Sequence, residues 1–179
     1  MSHNPNLPDS SEQASGGNEK PRVDRVVVFL LISMFISFVV SVLDFVLLQM
    51  MTIQIHWFVI GLLLLAIGSV VKILPRKKLA EAGFGSALNT AYLQVVKGQK
   101  LVTDGFYKYI RHPIYSGDIM QKYGWVIMLS SLYGLVFVTI GLCGYLYRIR
   151  REEEMLVEAF GEEYKEYQRT TKKLIPYIY

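Results

Sequence analysis

Long apolar runs alternate with short polar blocks along this chain. That spacing predicts membrane-crossing helices rather than the core of a soluble domain. The first run extends from Val26 to about Met51, and Asp44, near its far end, is its only formal charge. His56 to Leu74 is the second, with Trp57 at one interface and Lys72 at the other. About 20 apolar residues cover the hydrocarbon core of a bilayer, and both runs suffice. The Gln49–Gln54 link is short, so the two form an antiparallel pair. Ile114 to Arg151 is too long for one crossing, and Ser130, Ser131 and Gly134 lie near its middle. These residues predict a tight helical hairpin with arms Ile114–Leu129 and Leu132–Arg148. Each arm is short for a span, so the second is free to run on beyond the membrane.

The polar segments differ in kind. Met1 to about Asp24 is rich in Ser, Asn, Pro, Gly and Glu. It has little to bury and is expected to be a disordered tail, which leaves residues 25–179 as one integral-membrane domain. No apolar core follows closely on a basic start, so the tail does not read as a signal peptide. Pro75 to Arg111 is basic and punctuated by Gly83, Gly85, Gly98 and Gly105. A short interfacial helix is expected from Lys77, and irregular chain from Gln94 to Ile110. From Glu152 to about Thr171, Met155, Leu156, Ala159, Phe160, Tyr164 and Tyr167 recur at helical spacing between charged residues. This is an amphipathic helix. The expected fold is all-α: a multi-pass membrane bundle of about four transmembrane helices with a C-terminal cytoplasmic amphipathic helix.

Charge settles the expected topology. The formal net charge is +4, but the basic residues flank apolar spans and form no single patch, so nucleic acid is not an expected partner. Lysines and arginines fall in the N-terminal flank, in Lys72–Arg111, in Arg148–Lys173, or at Lys122. The two proposed outer loops hold none. Four spans put every basic segment on one side, which the positive-inside rule names as the cytoplasm, together with both termini. Three spans would strand Arg148–Lys173 outside. The lone Cys143 lies inside an apolar run and has no intramolecular disulfide partner.

Two cytoplasmic segments carry candidate chemistry. In Leu101–Tyr115, Pro113 suits the first position of the third span, where a missing N–H costs little. His112 then precedes a helix N-terminus, which favours a negative group such as a carboxylate. The competing reading is that Arg111 and His112 mark a membrane boundary and Pro113 a helix start. In Arg148–Glu154, Arg148 and Glu152 share a helix face. They form either an ordinary exposed pair, worth about 0.3–0.5 kcal/mol, or a site in which the Arg148 fork holds a carboxylate. Asp118 and Lys122, four apart within the third span, are either mutually paired or a polar wall of a cavity. Asp44 is expected to be wetted. Gly61 and Gly68, or Gly117 and Gly124, are seven apart and suit close helix packing.

Gly83-Phe84-Gly85 lacks the third glycine and preceding strand of a dinucleotide fingerprint. His3, His56 and His112 stand apart, with no metal-ligand spacing around them, so no metal is expected. No nucleophile–base signature is present, and the chemistry is expected to be direct group transfer.

The run LVTDGFYKYIRHPIY at Leu101–Tyr115, a helical hairpin, REEEMLVEAFGEEYKEYQ at Arg151–Gln168 and LIP at Leu174–Pro176 follow one another at characteristic separations. In this pattern the sequence resembles the isoprenylcysteine carboxyl methyltransferase family in its short prokaryotic form. The Arg-His-Pro-x-Tyr motif is shared with phospholipid methyltransferases. The resemblance implies an S-adenosylmethionine-dependent membrane methyltransferase without a Rossmann domain, with its cofactor in a cytoplasm-facing pocket. It implies that Gln94, Gln99, Lys100, Leu101, Val102, Tyr107, His112, Pro113, Ile114, Tyr115 and Glu152 surround that cofactor. It places Arg148 beside the substrate carboxylate. The implied substrate is lipid-like or prenylated, reached from the surrounding lipid.

Carboxyl O-methylation fits the residues. An ionised carboxylate is already nucleophilic, so alignment and exclusion of water suffice. N-methylation of a phospholipid amine is the alternative; it needs a proton acceptor, for which Glu153 or Asp118 are candidates. A non-catalytic transporter or assembly protein would account for Asp118 and Lys122 but not for the cytoplasmic pattern.

Overall fold

The structure is a computed structural model, and it describes residues 25–48, 54–82 and 101–179. The expected N-terminal tail therefore lies outside the described residues. Five α-helices follow in order: α1 Arg25–Leu43, α2 Ile55–Glu81, α3 Pro113–Met128, α4 Leu132–Phe160 and α5 Glu162–Thr170. α1, α2 and α4 are long and apolar enough to cross a membrane. The 16 residues of α3 rise only about 24 Å, short of a bilayer core of about 30 Å. The described residues form an all-helical membrane bundle.

Several expected boundaries are corrected. The first run is helical through Leu43 and then loosens into a π-helical turn, Asp44–Leu48. α2 does not stop at Leu74 to restart at Lys77. It continues through Pro75 to Glu81, forgoing the one hydrogen bond that proline removes. At 27 residues it is about 40 Å long, so Arg76, Lys77 and Lys78 ride on turns beyond the hydrocarbon. α4 likewise runs unbroken past Arg148 and Glu152. The expected amphipathic helix is thus the end of α4 plus α5, divided at Gly161. There φ is +58°, a conformation that favours glycine.

The helices pair antiparallel, α1 with α4 and α2 with α3. Glycine sets the second contact. A Cβ added to Gly117 would fall 2.6 Å from the Gly68 carbonyl oxygen, and one on Gly124 2.8 Å from that of Gly61. Both glycine pairs singled out by spacing therefore face each other across one interface, the close approach such residues permit. On the other side, Ser37 of α1 donates to the Gly134 carbonyl at 3.2 Å. Ser131 caps α4 through the Gly134 N–H at 2.9 Å and donates to Asp44 at 2.8 Å. Asp44 is consequently buried rather than wetted.

Candidate active site

The segment ahead of α3 and the segment beyond the apolar part of α4 fold onto each other. Arg111 N–H donates to the Lys172 carbonyl at 2.8 Å, His112 N–H to Lys173 at 3.0 Å, and Lys172 N–H to Tyr109 at 3.2 Å. These bonds strap the C-terminal chain alongside the loop. Side chains reinforce the strap: Ser116 Oγ donates to the Leu174 carbonyl at 2.6 Å, and Tyr167 Oη to the Tyr107 carbonyl at 2.6 Å. The Arg111 guanidinium donates to Glu153 at 2.8 Å, to the Gln168 carbonyl at 3.1 Å and to the Thr171 carbonyl.

Glu153 is the electrostatic centre of this layer. Lys173 Nζ lies 3.2 Å from its carboxylate and His112 Nε2 3.4 Å. Burial alone would raise its pKa, but His112 and Arg111 outweigh burial and hold it at about 2. It is therefore a structural anion and a poor proton acceptor, contrary to its expected candidacy as a base.

One layer away, Tyr115 joins the two halves of the site. Arg148 Nε donates to Tyr115 Oη at 2.7 Å, and that hydroxyl donates to Glu152 Oε2 at 2.7 Å. The Tyr115 ring stacks on His112 with centroids 5.7 Å apart, and the edge-on ring of Tyr145 lies at the same distance. Arg148 is buried, and Glu152 is half-buried beside it. Tyr107 is buried nearby; desolvation, then the charge of Glu152, pushes its hydroxyl upward in pKa.

Tyr107, His112, Tyr115, Arg148 and Glu152 are thus brought together from the expected set. Pro113 is buried as the first residue of α3, and Ile114 follows half-buried. Leu101 and Val102 are half-buried in the extended chain that leads into a 3₁₀ turn, Gly105–Lys108. Gln94, Gln99 and Lys100 lie outside the described residues. The Arg111–Glu153–Lys173 network was not anticipated. A signal for it exists in the sequence, because Tyr145, Arg148, Ile149 and Glu153 continue one buried stripe along α4 at i, i+3, i+4 spacing.

The chemistry of this donor set fits a molecule with both an anionic and a cationic or hydroxylated end. The first turn of α3 contains no acidic residue, and its N–H groups present the positive end of the helix dipole. His112 Nε2 is buried and lies 3.4 Å from the Glu153 carboxylate, without hydrogen-bond geometry to it or to another described residue. Glu152 offers carboxylate oxygens on the opposite wall.

The phospholipid methyltransferase family model matches residues 56–163. A probable protein-S-isoprenylcysteine O-methyltransferase of Oryza sativa subsp. indica is 34% identical over 127 residues, which cover 69% of this chain and 64% of that protein. A methanethiol S-methyltransferase of Crocosphaera subtropica is 37% identical over 79 residues, 44% of this chain and 30% of that protein. The chain therefore spans less than two thirds of the length of either relative. A solved structure of a eukaryotic intramembrane Ras methyltransferase, an isoprenylcysteine carboxyl methyltransferase, superposes with a TM-score of 0.60 over 93% of this chain and 56% of that one. At 24% identity that likeness speaks to the fold alone. By the matched model, which covers more than half its length, the chain belongs to the phospholipid methyltransferase family, and within the matched region it is similar to isoprenylcysteine carboxyl methyltransferases.

Proposed function

We propose that the chain is an S-adenosylmethionine-dependent methyltransferase that acts at the membrane surface, by carboxyl O-methylation of an isoprenylcysteine-like, lipophilic acceptor. The observation that carries this reading is the Arg148–Tyr115–Glu152 relay, which ties the first turn of α3 to the part of α4 beyond its apolar length. Arg148 is the residue for the acceptor carboxylate, since its planar fork matches that group. Glu152 suits the ammonium or ribose hydroxyls of the cofactor, and the α3 N-terminus with His112 suits its carboxylate. Leu101, Val102, Tyr107 and Ile114 supply the less polar walls. The bound cofactor supplies a methyl group on an electrophilic sulfonium. Tyr115 fixes the relative position of Arg148 and Glu152, and hence of the two reactants they hold, which is where in-line transfer gains most.

The described basic residues cluster at one end of the bundle, around Arg76–Lys78, Arg111, Arg148–Arg151 and Lys172–Lys173. That asymmetry supports a cytoplasmic site. N-methylation of a phospholipid amine is less well supported. Its base would be Glu153, engaged by Arg111 and Lys173, or Asp118, engaged by Lys72 and Tyr145. The test is incubation of the purified protein with methyl-labelled cofactor and either a farnesylated cysteine or phosphatidylethanolamine. Base-labile label on the farnesylcysteine is the expected product. Base-stable label on the phospholipid alone would overturn the carboxylate assignment.

A further inference from the structure

A second polar cluster lies deeper, within the apolar length of the bundle. Asp118 of α3 accepts from Lys72 of α2 and from the Tyr145 hydroxyl of α4, and Lys122 donates to that same hydroxyl. Lys122 Nζ stands 3.7 Å from Asp118 and 4.4 Å from the Tyr145 ring centroid. Gln121 receives Lys72 at 3.4 Å and donates to Ser69 at 2.7 Å. Two ammonium groups thus share one carboxylate, an excess of one positive charge. Each Asp118 oxygen already accepts one hydrogen bond, whereas each ammonium carries three donors. Among the described residues the one hydrogen-bond partner of Lys122 is Tyr145. An excess charge at such depth is costly and marks a site where an anion belongs.

Space for that anion is present. Lys72, Asp118, Gln121 and Lys122 form one end of a cavity of about 240 Å³. The remainder is mostly apolar, with Leu30, Met34, Phe38, Trp125 and Val138 among its walls. Met34 and Phe38 are also exposed on the outer surface of α1, so the cavity reaches the lipid-facing side. Its volume falls just below the usual range for small-molecule pockets, about 300–1,000 Å³, which suits one slender chain better than a bulky ligand. A charged end and a greasy, laterally open remainder form a single amphipathic container.

We propose that this cavity binds a single-chain anionic amphiphile, with its carboxylate or phosphate head on Lys72 and Lys122 and its chain between α1, α3 and α4. The site stands on the lysine excess and the cavity, independently of the methyl-transfer reading. Tyr145 connects it physically to Tyr115, whose ring it meets edge-on.

The chain contains two tryptophans, of which Trp125 lines the cavity and Trp57 is exposed on α2. In a Trp57→Phe background in nonionic detergent, Trp125 fluorescence reports on occupancy. Dibromo-octadecanoate is expected to quench it saturably, with half-saturation at least tenfold below that of dibromo-octadecanol. Lys122→Met and Lys72→Met should each shrink that difference to less than threefold. Displacement by unbrominated hexadecanoate or by hexadecyl phosphate supports the site and distinguishes the two heads. Equal quenching by acid and alcohol would overturn it, as would reversal by inorganic phosphate at the same concentration. Should the lysine variants fail to fold, the comparison of acid with alcohol decides alone. Cofactor binding, measured separately, keeps the two proposals distinguishable.

Discussion

Replacing Tyr115 by phenylalanine removes one oxygen and nothing else from the proposed site. That oxygen makes two bonds of 2.7 Å, accepting from Arg148 and donating to Glu152. A hydrogen bond to a charged group contributes about 1.5–3 kcal/mol. The two losses do not simply add: Arg148 keeps another interaction, and the half-buried Glu152 recovers water. A net loss of about 2–3 kcal/mol in transition-state stabilisation corresponds to roughly a 30- to 160-fold fall in kcat/KM at about 1.36 kcal/mol per decade. The ring contacts with His112 and Tyr145, both at 5.7 Å, survive the change, so the unfolding temperature in detergent should move only a few degrees. Steady-state kinetics with varied S-adenosylmethionine, paired with thermal unfolding, measure both quantities. A kcat/KM within threefold of wild type would refute the idea that Tyr115 couples the two walls. So would a collapse of stability that accounts for the lost rate.

Other expectations concern the scaffold and the acceptor. Arg111→Ala should loosen the C-terminal strap, because it leaves two carbonyls without their donor and Glu153 with Lys173 as its remaining ion-pair lysine. The expected cost is about 1–3 kcal/mol, seen as faster proteolysis after Thr170. Gly117→Ala should part α2 from α3, because the new Cβ meets the Gly68 carbonyl and the Lys72 nitrogen, both at 2.6 Å. A loss of about 1–3 kcal/mol would appear in the unfolding midpoint. The Glu153 carboxyl is depressed from an ordinary 4.5 to about 2. Its contribution to stability is complete above pH 4.5 and lost as pH falls through 2. The unfolding temperature should decline across that window, and Glu153→Gln should flatten that decline. Arg148→Ala should lower turnover of the carboxylate acceptor more than tenfold while cofactor affinity changes less than threefold. Equal, mild effects on both would assign Arg148 to structure.

The helices were legible because lipid demands long apolar runs, and the Ser130–Ser131 hairpin because polar turn residues interrupt one such run. Gly61 and Gly68, and Gly117 and Gly124, declared close packing by their seven-residue separation, though spacing alone could not say that the two pairs face each other. Helix ends were less legible. Pro75 looks like a terminus, yet a turn that begins in the membrane continues into water at little cost, and α2 carries through it. The break at Gly161 was hidden by the unbroken amphipathic period on either side. Within the site, Arg148, Glu152, His112 and Tyr115 emerged from motif and helical spacing. The Glu153 charge network did not: the buried stripe of α4 marks Glu153 as inward-facing, but its partner Arg111 lies 42 positions away and is brought to it by a backbone strap that no local pattern encodes. Lys72 has the sequence signature of an interface marker, whereas it is the nearest cation to Asp118. Asp44 gave no sign of Ser131, its partner from 87 residues away.

Isothermal titration of the purified protein with S-adenosylmethionine, in detergent and without any acceptor, bears most directly on whether the strapped layer beyond the bilayer is a cofactor site. Saturable one-to-one heat is expected for the wild type, with affinity weakened at least tenfold in Glu152→Ala. A folded wild-type protein that releases no heat, or a Glu152→Ala variant that binds as well as its parent, would contradict the account.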